Sequence, residues 1–489
     1  MRIEVLDMGY FDYSLEPRRA ILFEDVKSNY ASIECRERGL DPLTTSLCVM
    51  SRSDNSMGLI LASSPMFKKV FGKSNVGRSH ELPFYPQTRK FNYSRWDKTH
   101  RDFYRNVEPP SDEYIRFIED WAKKTYIVPP RMGLYIQSNI QVLKLFATFT
   151  SMAEIHPYSI DESFLDVTES LDYYFPDETD YYKKMDLMAQ KIQRTIYHQT
   201  RLYVTIGMGD NPLLAKLAMD NYAKHSQNMR ALIRYEDVEE KVWSIQEMTD
   251  FWGINVRTKR NFEKIGIHSI RELANANPDL IKREMKTIGL QHFFHANGID
   301  ETSIHDQYQK ASTSFGNSQI LPRDYTRQEE VEIVLNEMCE QVAVRLRKEK
   351  KEATSLSFFV GFSAKEPRPT IHVSRKIDPT NATVEIQRTV LQLFRERFEG
   401  GAVRSVGISA NGLIDAPFRL ISLFDGVEDD KEIQRQHQEE KIQEAMDTIR
   451  KKQGFTAIQK ATILKRGSRA IERSKLIGGH SAGGLEGLS

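Results

Sequence analysis

The chain of 489 residues carries 69 Lys+Arg against 68 Asp+Glu, with 40% hydrophobic residues, so it reads as a globular protein of about three domains whose bulk charge names no polyanionic partner. Its three cysteines, Cys35, Cys48 and Cys339, have no metal-ligand spacing, and their odd number argues against a disulfide framework. Early charges at Arg2, Glu4 and Asp7 exclude a signal peptide, and no apolar run reaches the roughly 18 residues of a membrane span, which implies a reduced, cytoplasmic protein with no membrane partner.

In chain order, "RAILFED" (19–25) predicts a buried strand ending in acid, and "KSNYASIECRER" (27–38) a helix with Ser28 as its N-cap. Strand-like runs follow at 47–51 and 58–62, then a short basic helix around 65–71. Residues 73–131 are polar, aromatic and irregular, mixing Arg and Lys with Phe, Tyr and Trp. A helical period over 137–153 leads into "YSIDESFLDVT" (158–168), two short strands around a tight turn. A long helix over 181–200, the strand "RLYVTIGMG" (201–209) and a helix opened by Asn211-Pro212 complete an α+β pattern, a sheet with helices on one face.

Beyond it, "MTDFWGINVRTKRNFEKIGIHSIRELA" (248–274) predicts two short helices around Gly253-Ile254-Asn255. Such a turn can offer backbone N–H groups to a phosphate, or can pack only on its own core. Residues 310–415 show a separate β-α-β-β-α-β order, with helices about 326–350 and 383–398. The stretch 426–452 is charged and helical by pattern, and "GGHSAGGLEG" at the end is compositionally disordered. From Arg450 to Lys475, nine basic residues face the single acid Glu472, a segment able to follow a polyanion or simply to stay solvated.

The hairpin tip poses the chemical question. Asp161 and Glu162 stand side by side in an apolar, β-prone run, and two adjacent carboxylates repel unless something positive lies between them. A hard divalent cation such as magnesium would do this; a solvated turn is the bland alternative.

Three stretches then read together: "ILFEDVKSNYASIE" (21–34), "YSIDESFLDV" (158–167) and "TIGMGDNPLLAKLAMDNYAK" (205–224). In this order and spacing the chain resembles the Y-family, or translesion, DNA polymerases, in particular the bacterial UmuC-like branch and its UvrX-like members. The resemblance covers roughly 18–425. It implies an α+β right-hand polymerase with a ferredoxin-like palm (18–28 and 132–235), reached after an N-terminal lead (1–17). Small fingers with the basic, aromatic insertion occupy 29–131. A helical thumb with a helix-hairpin-helix spans 236–305, and a β-α-β-β-α-β little finger spans 310–415. A clamp-binding-like motif and a charged tail fill 416–489.

The same resemblance implies two Mg2+ ions. Asp25 and Asp161 bridge them, Glu162 binds the one that activates the primer hydroxyl, and the Val26 carbonyl serves the nucleotide-side ion. Two such ions stabilise the attacking and leaving oxygens of phosphoryl transfer. Glu24 is not counted as a ligand, because alternation along a strand turns it to the other face. Lys69 and Lys216 take the positions that grip the triphosphate, although Met66 replaces a tyrosine three residues before Lys69. Tyr30 takes the steric-gate position that excludes a ribose 2′-hydroxyl, with Asn29 where relatives carry an aromatic residue. "RLISLFD" (419–425) resembles a sliding-clamp peptide through Ile421, Leu423 and Phe424, with Leu420 where Gln is usual.

The implied protein is an error-prone, template-directed polymerase in DNA damage tolerance and the SOS response. It uses primer-template DNA and deoxynucleotide triphosphates, acts as a monomer and has no proofreading exonuclease. The alternatives are a non-catalytic DNA-binding or regulatory protein on a polymerase scaffold, and a two-metal nuclease or cyclase with a similar sheet.

Overall fold

The computed structural model describes residues 11–51, 58–72, 77–93, 110–305, 314–366, 368–416, 430–477 and 480–481. Its contacts divide the chain into one unit over Met1–Tyr308 with Ser481–Ser489, and another over Gln309–His480.

The first unit contains β1 (Ile21–Val26), α1 (Asn29–Arg36), β2 (Leu47–Met50), β3 (Ile60–Ser63), α2 (Pro65–Phe71), α3 (Asp112–Lys124) and β4 (Tyr126–Val128). After these come α4 (Met132–Phe146), β5 (Ile155–Pro157), β6 (Glu162–Asp166), α5 (Tyr181–Thr200), β7 (Val204–Gly209), α6 (Pro212–Asn221) and β8 (Arg230–Ile233). The central sheet has the order β5-β6-β1-β7-β8, with β1 antiparallel to both of its neighbours. "ILFEDV" is buried along nearly its whole length, as expected of a central strand covered on both faces. Helix α6 lies hard against β7, because a Cβ on Gly207 would stand 2.1 Å from the Ala215 carbonyl oxygen. One on Gly209 would stand 2.4 Å from the Ala215 nitrogen, so only glycine permits this approach.

Four sequence expectations need correction here. Ser28 precedes α1, but in a left-handed conformation with no side-chain cap. Strands β2 and β3 do not extend the central sheet; with β4 they form a separate three-stranded sheet, order β3-β2-β4. Helix α4 begins at Met132 and ends at Phe146, earlier at both ends than its apolar period suggested. The insertion is not irregular throughout, since α3 and β4 are built from it. Its aromatics Phe84, Phe91 and Trp121 are buried with Phe67 and Cys48 in a core of their own. A role for them in stacking on bases is thereby excluded, and the four acids of α3 (Asp112, Glu113, Glu119, Asp120) outnumber its three bases.

Residues 213–299 share a hydrophobic core that includes Tyr235, Phe251, Phe262 and Phe293. The expected helix before Gly253 is only a single 3-10 turn, Met248–Asp250. Then come α7 (Val256–Glu263), capped by Asn255, α8 (Ile270–Ala274) and α9 (Pro278–Ala296), the last broken at Lys286.

The second unit has β9 (Ser314–Tyr325), α10 (Gln328–Lys348), β10 (Lys351–Phe362), β11 (Ile371–Thr380), α11 (Thr383–Arg397), β12 (Val403–Asp415) and α12 (Asp430–Gln453). Its antiparallel sheet has the order β11-β10-β12-β9, and α10 and α11 bury one common core against it. The charged segment after Arg450 is neither a solvated tail nor a free arm. It packs on the outer side of α10. Arg450 pairs with Glu340 at 2.8 Å, Ser468 Oγ and the Arg469 N–H donate to Glu337, and Tyr325 donates to the Gly467 carbonyl at 3.0 Å. The acids Glu330, Glu337 and Glu340 lie on one helical face. They draw the basic segment down, and Lys451, Lys452, Lys465, Arg466 and Lys475 are left exposed.

No helix among the described residues is long and apolar enough to cross a membrane. Ile421, Leu423 and Phe424, the clamp-like segment, lie outside the described residues.

Candidate active site

The register of β1 against β6 sets Asp25 directly opposite Glu162. The Val26 N–H donates to the Asp161 carbonyl at 3.0 Å, fixing the hairpin tip beside the end of β1. The tip is the loop 158–161. Glu162 is already the first residue of β6, and its carbonyl accepts from the Tyr158 N–H at 2.9 Å. Asp25, Asp161 and Glu162 therefore gather at one end of the central sheet. Ser159 Oγ sits 3.0 Å from Asp161 and 3.1 Å from Glu162, within hydrogen-bonding reach of both. Burial, together with Asp161, Glu162 and Asp220, pushes Asp25 up to about 7 even though Lys224 pulls the other way. Burial likewise raises Asp161. A carboxylate set with more negative charge than its surroundings compensate is the donor set a hard divalent cation requires.

The cations are arranged differently from the sequence expectation. Lys216 does stand in the first turns of α6, whose cap Asn211 accepts from the Leu214 N–H at 2.8 Å. Its ammonium, however, is buried: 3.3 Å from Glu162, 3.3 Å from Asp220, and 4.1 Å above the Phe23 ring. It lies under the carboxylates and does not line the cleft, so the reading of Lys216 as a triphosphate grip is corrected. The close approach of α6 at Gly207 and Gly209 puts it there, a fact of packing that motif order does not carry.

The cleft itself, of about 1990 Å³, is lined by Asp25, Tyr30, Lys68, Lys69, Asp161 and Lys224 among others. Lys224 was not singled out from the sequence. It stands 3.8 Å from Asp25 and 2.8 Å from Asp220, and though burial opposes its charge, Asp25 and Asp220 raise its pKa. Lys68 was also passed over in favour of Lys69. Burial lowers its pKa, while Asp25 acts in the opposite sense. The spacing that could have found Lys224 is Lys216, Asp220, Lys224: three charges at i, i+4, i+8, continuing past the helix end.

Tyr30 is half-buried at the cleft wall and stacks on Tyr135, ring centroids 4.5 Å apart with 13° between planes. Tyr135 donates to Glu34 at 2.8 Å, and Arg131 holds the same carboxylate at 2.9 and 2.8 Å. Burial opposes the Glu34 charge, but Arg131, Arg38 and Tyr135 outweigh it and keep the group ionised. Asn29 lines the cleft beside Tyr30 but brings a side-chain amide there and no aromatic ring. Met66 begins α2 beside Pro65, with no hydroxyl to offer.

Glu24 behaves as strand alternation predicts. Its register partners are Ser163 and Ile206, whereas Asp25 faces Glu162 and Thr205, so the two acids point to opposite faces. Burial, then Asp25, Asp161 and Glu162, push Glu24 far above the carboxylate range. Another cluster, Glu154, Asp166 and His305, lies toward the far end of β6, where Arg19 already pairs with Asp166.

Residues 111–220 match the model of the impB/mucB/samB family, and 312–423 that of the impB/mucB/samB family C-terminal domain. The chain is 36% identical over 472 residues to UvrX of Bacillus subtilis (strain 168), a protein named for UV-damage repair, covering 96% of this chain and all of that one. It is 31% identical over 356 residues to DNA polymerase IV 2 of Halalkalibacterium halodurans, covering 72% of this chain and 82% of the relative. Its fold matches a Y-family DNA polymerase chimera of Dbh and Dpo4 with a TM-score of 0.53 at 17% identity, over 81% of this chain and 99% of that one. The chain belongs to the Y-family of DNA polymerases, the translesion class. Its activity is that of the class, template-directed DNA synthesis in DNA repair.

Proposed function

We propose that Asp25, Asp161 and Glu162, with the Val26 carbonyl, hold two divalent cations, magnesium in the cell. The observation that carries this is the Asp25–Glu162 register pair with Asp161 pinned beside it by the Val26 N–H. When bound, such ions lower the barrier for attack of the primer hydroxyl on the α-phosphate and for departure of pyrophosphate. The protein's own residues do the rest. Ser159 and Lys216 keep Glu162 oriented. Lys224, Lys68 and Lys69 line the wall where a triphosphate is held. Tyr30, backed by Tyr135, closes the space below the sugar and selects deoxynucleotides.

The finer assignments belong to the same reading. Residues 29–131 are the fingers, 236–305 the thumb and 310–415 the little finger, to which the packing of Arg450–Arg473 adds the C-terminal segment. The enzyme is a cytoplasmic monomer of the UmuC-like branch, acts within the SOS response and has no proofreading site. Ile421, Leu423 and Phe424 engage the sliding clamp. Replacing Leu423 and Phe424 with Ala should abolish clamp stimulation and leave unassisted extension unchanged.

The deciding experiment is primer extension with Mg2+ on an undamaged template. The parent lengthens the primer. Asp161→Ala should abolish this with duplex binding nearly intact, because affinity comes from dispersed phosphate contacts. A shortened primer would indicate a nuclease, and extension by Asp161→Ala within tenfold of the parent would remove the carboxylate assignment.

A further inference from the structure

An aromatic chain crosses from the carboxylate hairpin to the region after the palm. Phe23 on β1 and Phe164 on β6 pack with centroids 4.3 Å apart, and both meet the Tyr158 ring edge-on, at 5.9 and 5.8 Å. Tyr158 opens the loop that carries Asp161. On its other side it meets Trp252, 6.0 Å away at 76°, and the Trp252 indole N–H donates to the Tyr158 hydroxyl at 3.2 Å. Trp252 also packs against Phe164, and its ring lies parallel to that of His295 on α9. The next residue, Gly253, has φ +91, and a Cβ there would come within 2.8 Å of the His292 ring. The turn that presents Trp252 is thus held by backbone geometry and by two buried histidines.

The hydrogen bond spans 94 residues and links this turn to the tip loop. Tyr158 is 45% exposed, so core packing alone does not immobilise it. The loop closes through backbone bonds from Tyr158 and Ser159 to the Glu162 carbonyl, so a backbone shift at Tyr158 is passed on to the loop that carries Asp161. Lys216 stands 5.1 Å over the same ring and 3.3 Å from Glu162, which joins the contact to the second carboxylate as well.

We propose that Trp252, acting through Tyr158, is a positioning residue for Asp161 and Glu162: it ties the turn that leads into α7 to the hairpin carrying the carboxylates. This rests on the assignment of those carboxylates above. Neither side chain takes part in the chemistry. Their work is to hold the 158–161 loop in one rotation, so that the acids meet their cations without first being ordered.

The test uses the full chain with Trp252→Phe and Tyr158→Phe, which keep an aromatic ring at each position and remove one hydrogen-bonding group each. Under single-turnover conditions each should lower the maximal incorporation rate about tenfold, with duplex affinity and nucleotide KM within about twofold of the parent. Each should also raise the Mg2+ concentration needed for half-maximal rate, which a loss of general stability would not do. Because both variants remove one bond, the double variant should lose about tenfold in total and not about a hundredfold. Independent losses, or a rate loss matched by weaker duplex binding, would overturn the proposal. Asp161→Ala is run alongside. If it stays active, the carboxylate assignment itself falls; if it is dead while both Phe variants keep the parent rate, only the coupling falls.

Discussion

Arg450 Nη2 donates to Glu340 Oε1 at 2.8 Å with both side chains more than nine-tenths buried, joining α12 to α10, the first helix of the Gln309–His480 unit. Arg450 also donates to the Ile458 carbonyl and lies 4.6 Å over the Phe455 ring. The segment after α12 is therefore a structural layer of that unit.

Removing one partner of such a pair strands a buried charge. Arg450→Ala should destabilise the Gln309–His480 unit by about 3 kcal/mol or more, whereas Arg450→Met combined with Glu340→Leu should come close to neutral. Urea denaturation of the full chain, followed by a probe placed in that unit, measures both. Equal losses in the single and double variants would show that the ion pair is incidental.

Lys216 and Lys224 should separate kinetically. Lys224→Ala removes a cleft cation and should raise nucleotide KM about tenfold with a smaller effect on kcat. Lys216→Ala leaves Glu162 without its buried counter-charge and should lower kcat with little change in KM. Steady-state incorporation kinetics distinguish the two, and the reverse pattern would restore the sequence-based role of Lys216.

Tyr30→Ala should admit ribonucleotides with little loss of deoxynucleotide use, since it opens space and removes no charge. Tyr135→Leu should relax the same discrimination to a smaller degree, because it withdraws the stacked ring and its anchor on Glu34 while leaving Tyr30 in place. Competition between ribo- and deoxynucleotides at one template base reads out both. Unchanged discrimination in Tyr30→Ala would move the gate to another residue.

His292 gives a pH signature. Burial, and then His295, lower its pKa from the ordinary 6.5 to about 4. The unfolded chain takes up this proton near 6.5 and the folded chain only near 4. Its contribution is thus fully present above 6.5 and is lost as pH falls through that window, up to about 3 kcal/mol at the acid end. Denaturant melts at pH 7.5, 6 and 5 should show the decline, and His292→Leu should flatten it. Parallel profiles for the parent and the variant would remove His292 as the cause.

Much of this protein was legible in its sequence because the relevant signals are local. The buried run "ILFEDV" and the Asn211-Pro212 helix start follow from alternation or capping within a few residues and form as read, while the hairpin forms with its first strand earlier, at Ile155–Pro157, and with Glu162 inside the second strand, not at the tip. The family was legible for the same reason, since its motifs are short and ordered. What tertiary structure alone decided is which charges meet. Lys216 and Lys224 look equivalent in sequence, two turns apart, yet the approach of α6 at Gly207 and Gly209 buries the first beneath Glu162 and leaves the second in the cleft. The basic C-terminal segment likewise matched a free arm by composition. Its partners Glu330, Glu337 and Glu340 lie more than a hundred residues earlier and become a single acceptor face only when α10 forms. Local pattern determines the elements, but Coulomb and packing energies depend on distance in space, which only the folded chain supplies.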